Sequence, residues 1–225
     1  MRGTRNSGLA ALGGIALAAL LAVIGHLEVN EDLDPWSLTV SDYAVSDRGG
    51  VIDVAMVLLA AASAVLIPAL GATSRGRGGA GTASGGPGRL AQLLLAAWVG
   101  GLLLAAVVPT NEPGLPMDTA AYVHRYASVI AFLALPFAGW LVARRLPDGV
   151  ARRWVRGLAV TSLAIAAAMV WSAYPGDRVL LGLVERLLIL TEVTLLATLT
   201  LTSRARCAGR PTSVPPRLTP PPTRP

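Results

Sequence analysis

Six runs of mostly apolar residues recur along the chain, at 8–26, 51–73, 90–109, 122–143, 157–174 and 179–202. Each is about 18 to 24 residues long, enough for a helix to cross a hydrocarbon core roughly 30 Å thick. Backbone polar groups in lipid must be satisfied within the spanning structure, so only helices and closed barrels cross a bilayer. A barrel would show short runs of alternating polarity, and these runs do not alternate. The composition agrees. Apolar residues make up 53% of the 225 and charged residues only 14%, with a mean hydropathy of +0.59. A soluble domain carries about 25% charged residues. The reading is an all-α, polytopic integral membrane bundle of six transmembrane helices. Its parts are an N-terminus at 1–7, a membrane domain at 8–202 and a tail at 203–225.

The charges predict an orientation. All 19 basic residues are arginine, and fifteen of them lie at the N-terminus, in the second and fourth connections and in the tail, against the single acid Asp148. The other connections hold nine acids and only Arg48 and Arg178. Short arginine-rich loops stay cytoplasmic, so both termini are expected inside (N-in/C-in) and the acidic loops outside. The expected location is the cell membrane, as a multi-pass protein. A sequence pI near 10.6 invites a nucleic-acid reading. The arginines instead sit just beyond helix ends, where anionic lipid attracts them, and no aromatic-plus-basic surface accompanies them. The expected partners are membrane lipids, not nucleic acid.

Missing residue types exclude whole chemistries. Without lysine there is no Schiff-base lysine and no P-loop. With one cysteine, Cys207, there is no intrachain disulfide and no cysteine metal cluster. No cofactor is expected. The first apolar run exceeds a signal-peptide core and ends without a small-x-small site, so it reads as a retained helix. Residues 76–88 hold seven glycines and read as a flexible linker. Residues 211–225 hold seven prolines and read as a disordered tail. The small residues Gly14, Ala18 and Ala22 share one helix face, as do Gly101 and Ala105, which suits close helix packing. Trp36, Trp98, Trp140, Trp154, Trp171 and Tyr174 read as interfacial belt residues.

The polar residues gather where the acidic loops meet the helices. His26 closes the first run. Residues 27–50 form a long connection, with a short interfacial helix expected over 35–45, Asp34 as its cap and Pro35 in its first turn. Pro109-Thr110-Asn111 closes the third run, His124-Arg125 opens the fourth, and Glu185-Arg186 lies near the start of the sixth.

His26, Leu33-Asp34-Pro35, Ser41-Asp42-Tyr43-Ala44, Pro109-Thr110-Asn111, the His124 helix start and Gly182-Leu183-Val184-Glu185-Arg186 follow one another in an order that resembles a known family. This is the bacterial six-span membrane family catalogued as domain of unknown function 998, over about residues 8–202. The resemblance implies the fold and no activity. Asn111 departs from the aspartate that the family pattern implies after Pro-Thr. A more distant similarity of topology links the chain to the Frag1/DRAM/Sfk1 membrane proteins, which implies lipid handling only by analogy.

The candidate ligand site is His26, Asp42, Tyr43, Arg48, Thr110, His124, Arg125, Glu185 and Arg186. In this reading the arginines meet the anionic headgroup of a lipid or small amphiphile at the outer leaflet, since their forks match phosphate oxygens, and the acids orient them. Arg125 is expected to pair with Glu185 or Asp42, because an unpaired charge inside a span costs at least about 2.5–3.5 kcal/mol. The rival is a membrane-embedded metal-dependent hydrolase, with His26, His124 and Asp42 or Glu185 holding the metal. Ser41 or Ser128 with His124 and Asp42 is a nucleophilic set without the Gly-x-Ser-x-Gly elbow. A structural or partner-binding subunit is a third reading. Glu192, deep in the sixth run, is an intramembrane acid that would suit a proton-coupled transporter.

Overall fold

The computed structural model describes residues 2–27, 34–45, 50–68, 87–112 and 115–208. Every regular element among them is helical: α1 (Arg2–Leu27), α2 (Val40–Ala44), α3 (Gly50–Ala64), α4 (Pro87–Val107), α5 (Thr119–Ala143), α6 (Val150–Ala173) and α7 (Leu181–Ala208). Five helical stretches are long and apolar enough to cross a membrane: Asn6–Leu27, Gly50–Pro68, Gly88–Val107, Thr119–Ala143 and Val150–Ala173. The sixth long helix, α7, has 28 residues and carries Glu185, Arg186 and Glu192 in its first half. Arg48, the linker before Pro87 and the proline-rich tail lie outside the described residues.

Each long helix packs against the next, and α7 closes on α1, so the six form a ring; α5 and α7 also touch across it. Small residues set the close approaches. A Cβ on Gly14 would lie 2.9 Å from Ala62 Cβ, and one on Gly101 would lie 2.7 Å from the Ala127 carbonyl oxygen. Where no water drives helices together, such contacts and the dispersion they allow hold the bundle. Leu95, Leu135, Leu188, Leu195, Leu196 and Val155 fill the interior.

Helix boundaries differ from the hydropathy reading for local reasons. The Asp118 side chain accepts from Ala121 N at 2.8 Å, so α5 starts at Thr119, ahead of the apolar run. Helix α6 begins at Val150 and takes Arg152, Arg153 and Arg156 onto its first two turns, where hydropathy had read a loop. Arg152 pairs with Asp148 one turn away, and the Arg156 guanidinium lies 5.0 Å from the Trp140 ring. Between α6 and α7 the chain turns through Asp177, Arg178 and Leu180, all at positive φ. Ser172 Oγ donates to the Val179 carbonyl across that turn at 2.5 Å. Helix α7 therefore starts at Leu181 and not at 179.

One belt assignment is corrected. Trp36, Trp154, Trp171 and Tyr174 are exposed, but Trp98 is only 2% exposed. Its Nε1–H donates to Ser63 Oγ at 3.0 Å, and Ser63 donates to the Leu59 carbonyl at 2.6 Å. Hydropathy could not separate this Trp from its exposed neighbours, because the partner hydroxyl lies on another helix. Ser63→Ala should strand a buried indole N–H and cost about 1–3 kcal/mol. Denaturation of the detergent-solubilised protein would measure it. Trp98→Phe should cost less in the Ser63→Ala background than in the wild type; equal costs would show that the bond carries no stability.

Candidate functional site

Residues 34–45 form a short polar segment over the end of the ring that carries the acidic connections. Its first turn is local chemistry. The Asp34 carboxylate accepts from Trp36 N at 3.1 Å and Ser37 Oγ at 2.6 Å, and these bonds hold its carboxyl below the usual range. Thr39 then caps α2 afresh. Its hydroxyl accepts from Asp42 N, and the Asp42 carboxylate accepts from Thr39 N at 2.7 Å, a reciprocal capping box. The single helix expected over 35–45 is therefore a turn followed by five helical residues. Side-chain bonds to nearby backbone stop the helix between Asp34 and Thr39.

Helix α7 clamps this segment from below. Glu185, buried, accepts from Val40 N at 2.5 Å. Arg186 Nη1 donates to the carbonyls of Pro35 (2.9 Å), Leu38 (2.8 Å) and Gly182 (2.9 Å). Gly182 N donates to the Trp36 carbonyl at 2.9 Å. The approach is so close that a Cβ on Gly182 would collide with the Leu38 carbonyl oxygen and fall 2.7 Å from that of Pro35. Glu185 and Arg186 thus spend most of their hydrogen bonds on backbone of residues 34–45.

Three aromatic and charged groups meet at Tyr43. The ring is buried, which pushes its hydroxyl up, while the nearby Arg186 charge opposes that shift. His26 stacks on it at 5.1 Å between centroids, and the Arg186 guanidinium lies 4.9 Å from the ring centre. His26 Nδ1 lies 2.6 Å from the Ala22 carbonyl, so that nitrogen carries the proton. Two buried nitrogens in this group have no partner among the described residues: His26 Nε2 and Arg186 Nη2.

The other expected site residues fall around this centre unevenly. His124 Nδ1 lies 2.8 Å from the Val108 carbonyl and Nε2 lies 3.0 Å from Ser41 Oγ. The carbonyl can only accept, so Nδ1 carries the proton and Ser41 donates to Nε2. The bond ties α2 to α5. Both ring nitrogens are engaged, and no three His, Cys, Asp or Glu side chains converge among the described residues. The geometry does not assemble the metal set His26, His124 and Asp42. Ser128 donates to the His124 carbonyl within its own helix and does not join Ser41. Thr110 is half-buried in the connection after α4.

Arg125 does not pair with Glu185 or Asp42. It is exposed on α5, one residue past the buried His124, and so lies on a different face. Arg178 lies 3.7 Å from the Asp42 carboxylate instead. Asp53, in the first turn of α3, lies within electrostatic reach of His124. Sequence reasoning did not single out Arg178, Asp53 or Gly182 for the site. Their roles depend on which connection each helix end meets, and no local pattern carries that.

A family model described as "Protein of unknown function (DUF998)" matches residues 12–202. The chain belongs to the DUF998 family. No curated protein and no solved structure matches it. The DUF998 match runs from α1 into α7, so it takes in the whole ring and the clamp on residues 34–45. In this DUF998 protein, Gly182→Ala should break the clamp. Steric displacement of the Pro35 and Leu38 carbonyls should cost about 1–3 kcal/mol. Limited proteolysis should then cut within residues 34–45 faster. Gly157→Ala, where an added Cβ meets nothing within 4 Å, should leave the cleavage rate unchanged.

Proposed function

We propose that this DUF998 protein spans the cell membrane six times with both termini cytoplasmic. Its outward face would recognise the anionic headgroup of an outer-leaflet lipid or small amphiphile. The orientation rests on the arginine distribution. The sixth span, α7, is supported by where its ionisable groups go. Glu192 points into the ring interior, and Glu185 and Arg186 bind the backbone of residues 34–45, so none of the three need face lipid.

One observation carries the ligand reading: His26 Nε2 and Arg186 Nη2, both buried and both without a partner among the described residues, belong to side chains that contact Tyr43. The Arg186 N–H matches a phosphate oxygen, and the neutral His26 Nε2, with the proton on Nδ1, accepts from a hydroxyl of the same headgroup. Exposed Arg125 adds one positive charge at this otherwise acidic end of the bundle, where Arg178 is paired with Asp42. Residues 34–45 act as a lid in this reading. A headgroup reaches the two nitrogens when the segment shifts, and the Glu185 and Arg186 bonds return it.

Two experiments test this. With Cys207 replaced by serine, Ser37→Cys should react with a membrane-impermeant maleimide on intact cells. The native Cys207 should react only after the membrane is opened. The reverse pattern would invert the topology. For the ligand, protein from lipid nanodiscs should retain one phosphatidylglycerol and no phosphatidylcholine in native mass spectrometry. His26→Phe keeps the stacking and removes Nε2. Arg186→Lys keeps a cation for the lid carbonyls and removes the second nitrogen. A charge-assisted hydrogen bond contributes about 1.5–3 kcal/mol, so each should lower retention at least about tenfold. Unchanged retention in both variants would overturn the reading.

A further inference from the structure

Glu192 lies midway along α7, 0% exposed, and neither of its carboxyl oxygens has a hydrogen-bond partner among the described residues. Ser162 of α6 is equally buried, and its hydroxyl also lacks a partner. The fold brings the two to one depth. Ser162 lies eleven residues before Ala173, the end of α6, and Glu192 lies eleven residues after Leu181, the start of α7. The two helices pack as an antiparallel hairpin, so at 1.5 Å per residue both groups sit about 16 Å below its turn.

A third polar group shares that depth. Gly139 of α5 packs on Leu195 of α7, and the two helices run in the same direction. Three residues toward the acidic end in each, Pro136 is level with Glu192. Pro136 has no N–H, so the Phe132 carbonyl loses its helical donor. A carboxyl, a hydroxyl and a freed carbonyl therefore lie in one layer of an otherwise apolar ring.

Buried polar atoms without partners are rare in native proteins, and an ionisable group inside a membrane marks a functional site by default. The charged groups of the elements packed around Glu192 all lie near helix ends: Arg2, Arg5 and His26 in α1, Asp53 in α3, Arg89 in α4, Arg125 in α5, and Arg152, Arg153 and Arg156 in α6. On α7 itself, Glu185 lies two turns away and is bonded to Val40, Arg186 bonds the carbonyls of residues 35 and 38, and Arg204 and Arg206 lie at its far end. One carboxyl with neutral neighbours is a poor site for a divalent ion, which calls for several charged oxygens. A proton needs only the one acid.

We propose that Glu192 is a proton-binding site inside the helix ring, with the Ser162 hydroxyl and the Phe132 carbonyl as the acceptors that hold its acidic O–H, directly after a rotamer change or through one water. The site is separate from the headgroup site and does not depend on it. Dicyclohexylcarbodiimide tests it, because it adds to the protonated form of a carboxyl in apolar surroundings. Full-length protein in nanodiscs would be treated across a pH series, and the adducts mapped by mass spectrometry. Glu192 should carry the adduct, with labelling that falls as pH rises. Ser162→Ala should lower the half-labelling pH by about one unit, the equivalent of one lost hydrogen bond to the acid. Three outcomes would overturn the proposal: Glu192 unlabelled while other carboxyls react, labelling independent of pH, or protection by sodium at constant pH, which would make the ligand a metal cation.

Discussion

A peptide backbone surrounded by apolar side chains has nowhere to place its N–H and C=O groups except in its own helix, and that constraint governs everything else in this protein. It makes the long elements helical, and their many Ala and Leu residues favour the same state. It also removes the hydrophobic effect as the force between helices, so contact must come from shape. Gly14 against Ala62 and Gly101 against Ala127 supply that shape. Hydroxyl groups keep the same rule. Ser63, Thr191, Thr194, Thr198, Thr200 and Thr202 each donate back to the carbonyl one turn earlier.

Two layers depart from that rule in ways that bear on both proposals. At the acidic end, Glu185 and Arg186 reach out of α7 and satisfy backbone groups of a segment that has only five helical residues of its own. Two ionisable side chains thus bond backbone groups of Pro35, Leu38 and Val40 that this segment's own turns do not serve. Arg186 suits this task because one planar guanidinium can serve several carbonyls and still stack on Tyr43. In the middle of the ring, Glu192 and Ser162 have no such arrangement. The first layer fastens residues 34–45 to α7 and leaves two nitrogens over. The second leaves an acid and a hydroxyl. Both proposals start from groups that the fold buries without bonding.

Much of the scaffold was legible in the sequence, and some of it was not. The apolar runs located all six long helices, because run length and polarity are local properties. Their ends were less legible. Asp118 extends α5 and Gly149 lets α6 begin among arginines, and both effects act through one or two backbone positions inside polar stretches. The site was legible as a set of polar residues at one end of the bundle. Its pairings were not. Arg125 and Arg186 are both arginines near a helix start, yet one is exposed on α5 and the other is committed to three carbonyls.

The sequence by itself determined the helical class, the presence of several long apolar helices and the end of the bundle at which its acidic connections lie. Those follow from the cost of burying backbone and charge in apolar surroundings, which each segment meets alone. Only the tertiary structure decided that Trp98 is buried and Trp171 exposed, that Gly182 must lack a side chain, and that His124 spends both nitrogens on Ser41 and Val108. It alone brought Ser162 and Pro136 level with Glu192. Each of these depends on which helix lies beside which, and at what offset. That is set by small-residue contacts summed around a closed ring, and no single segment encodes it.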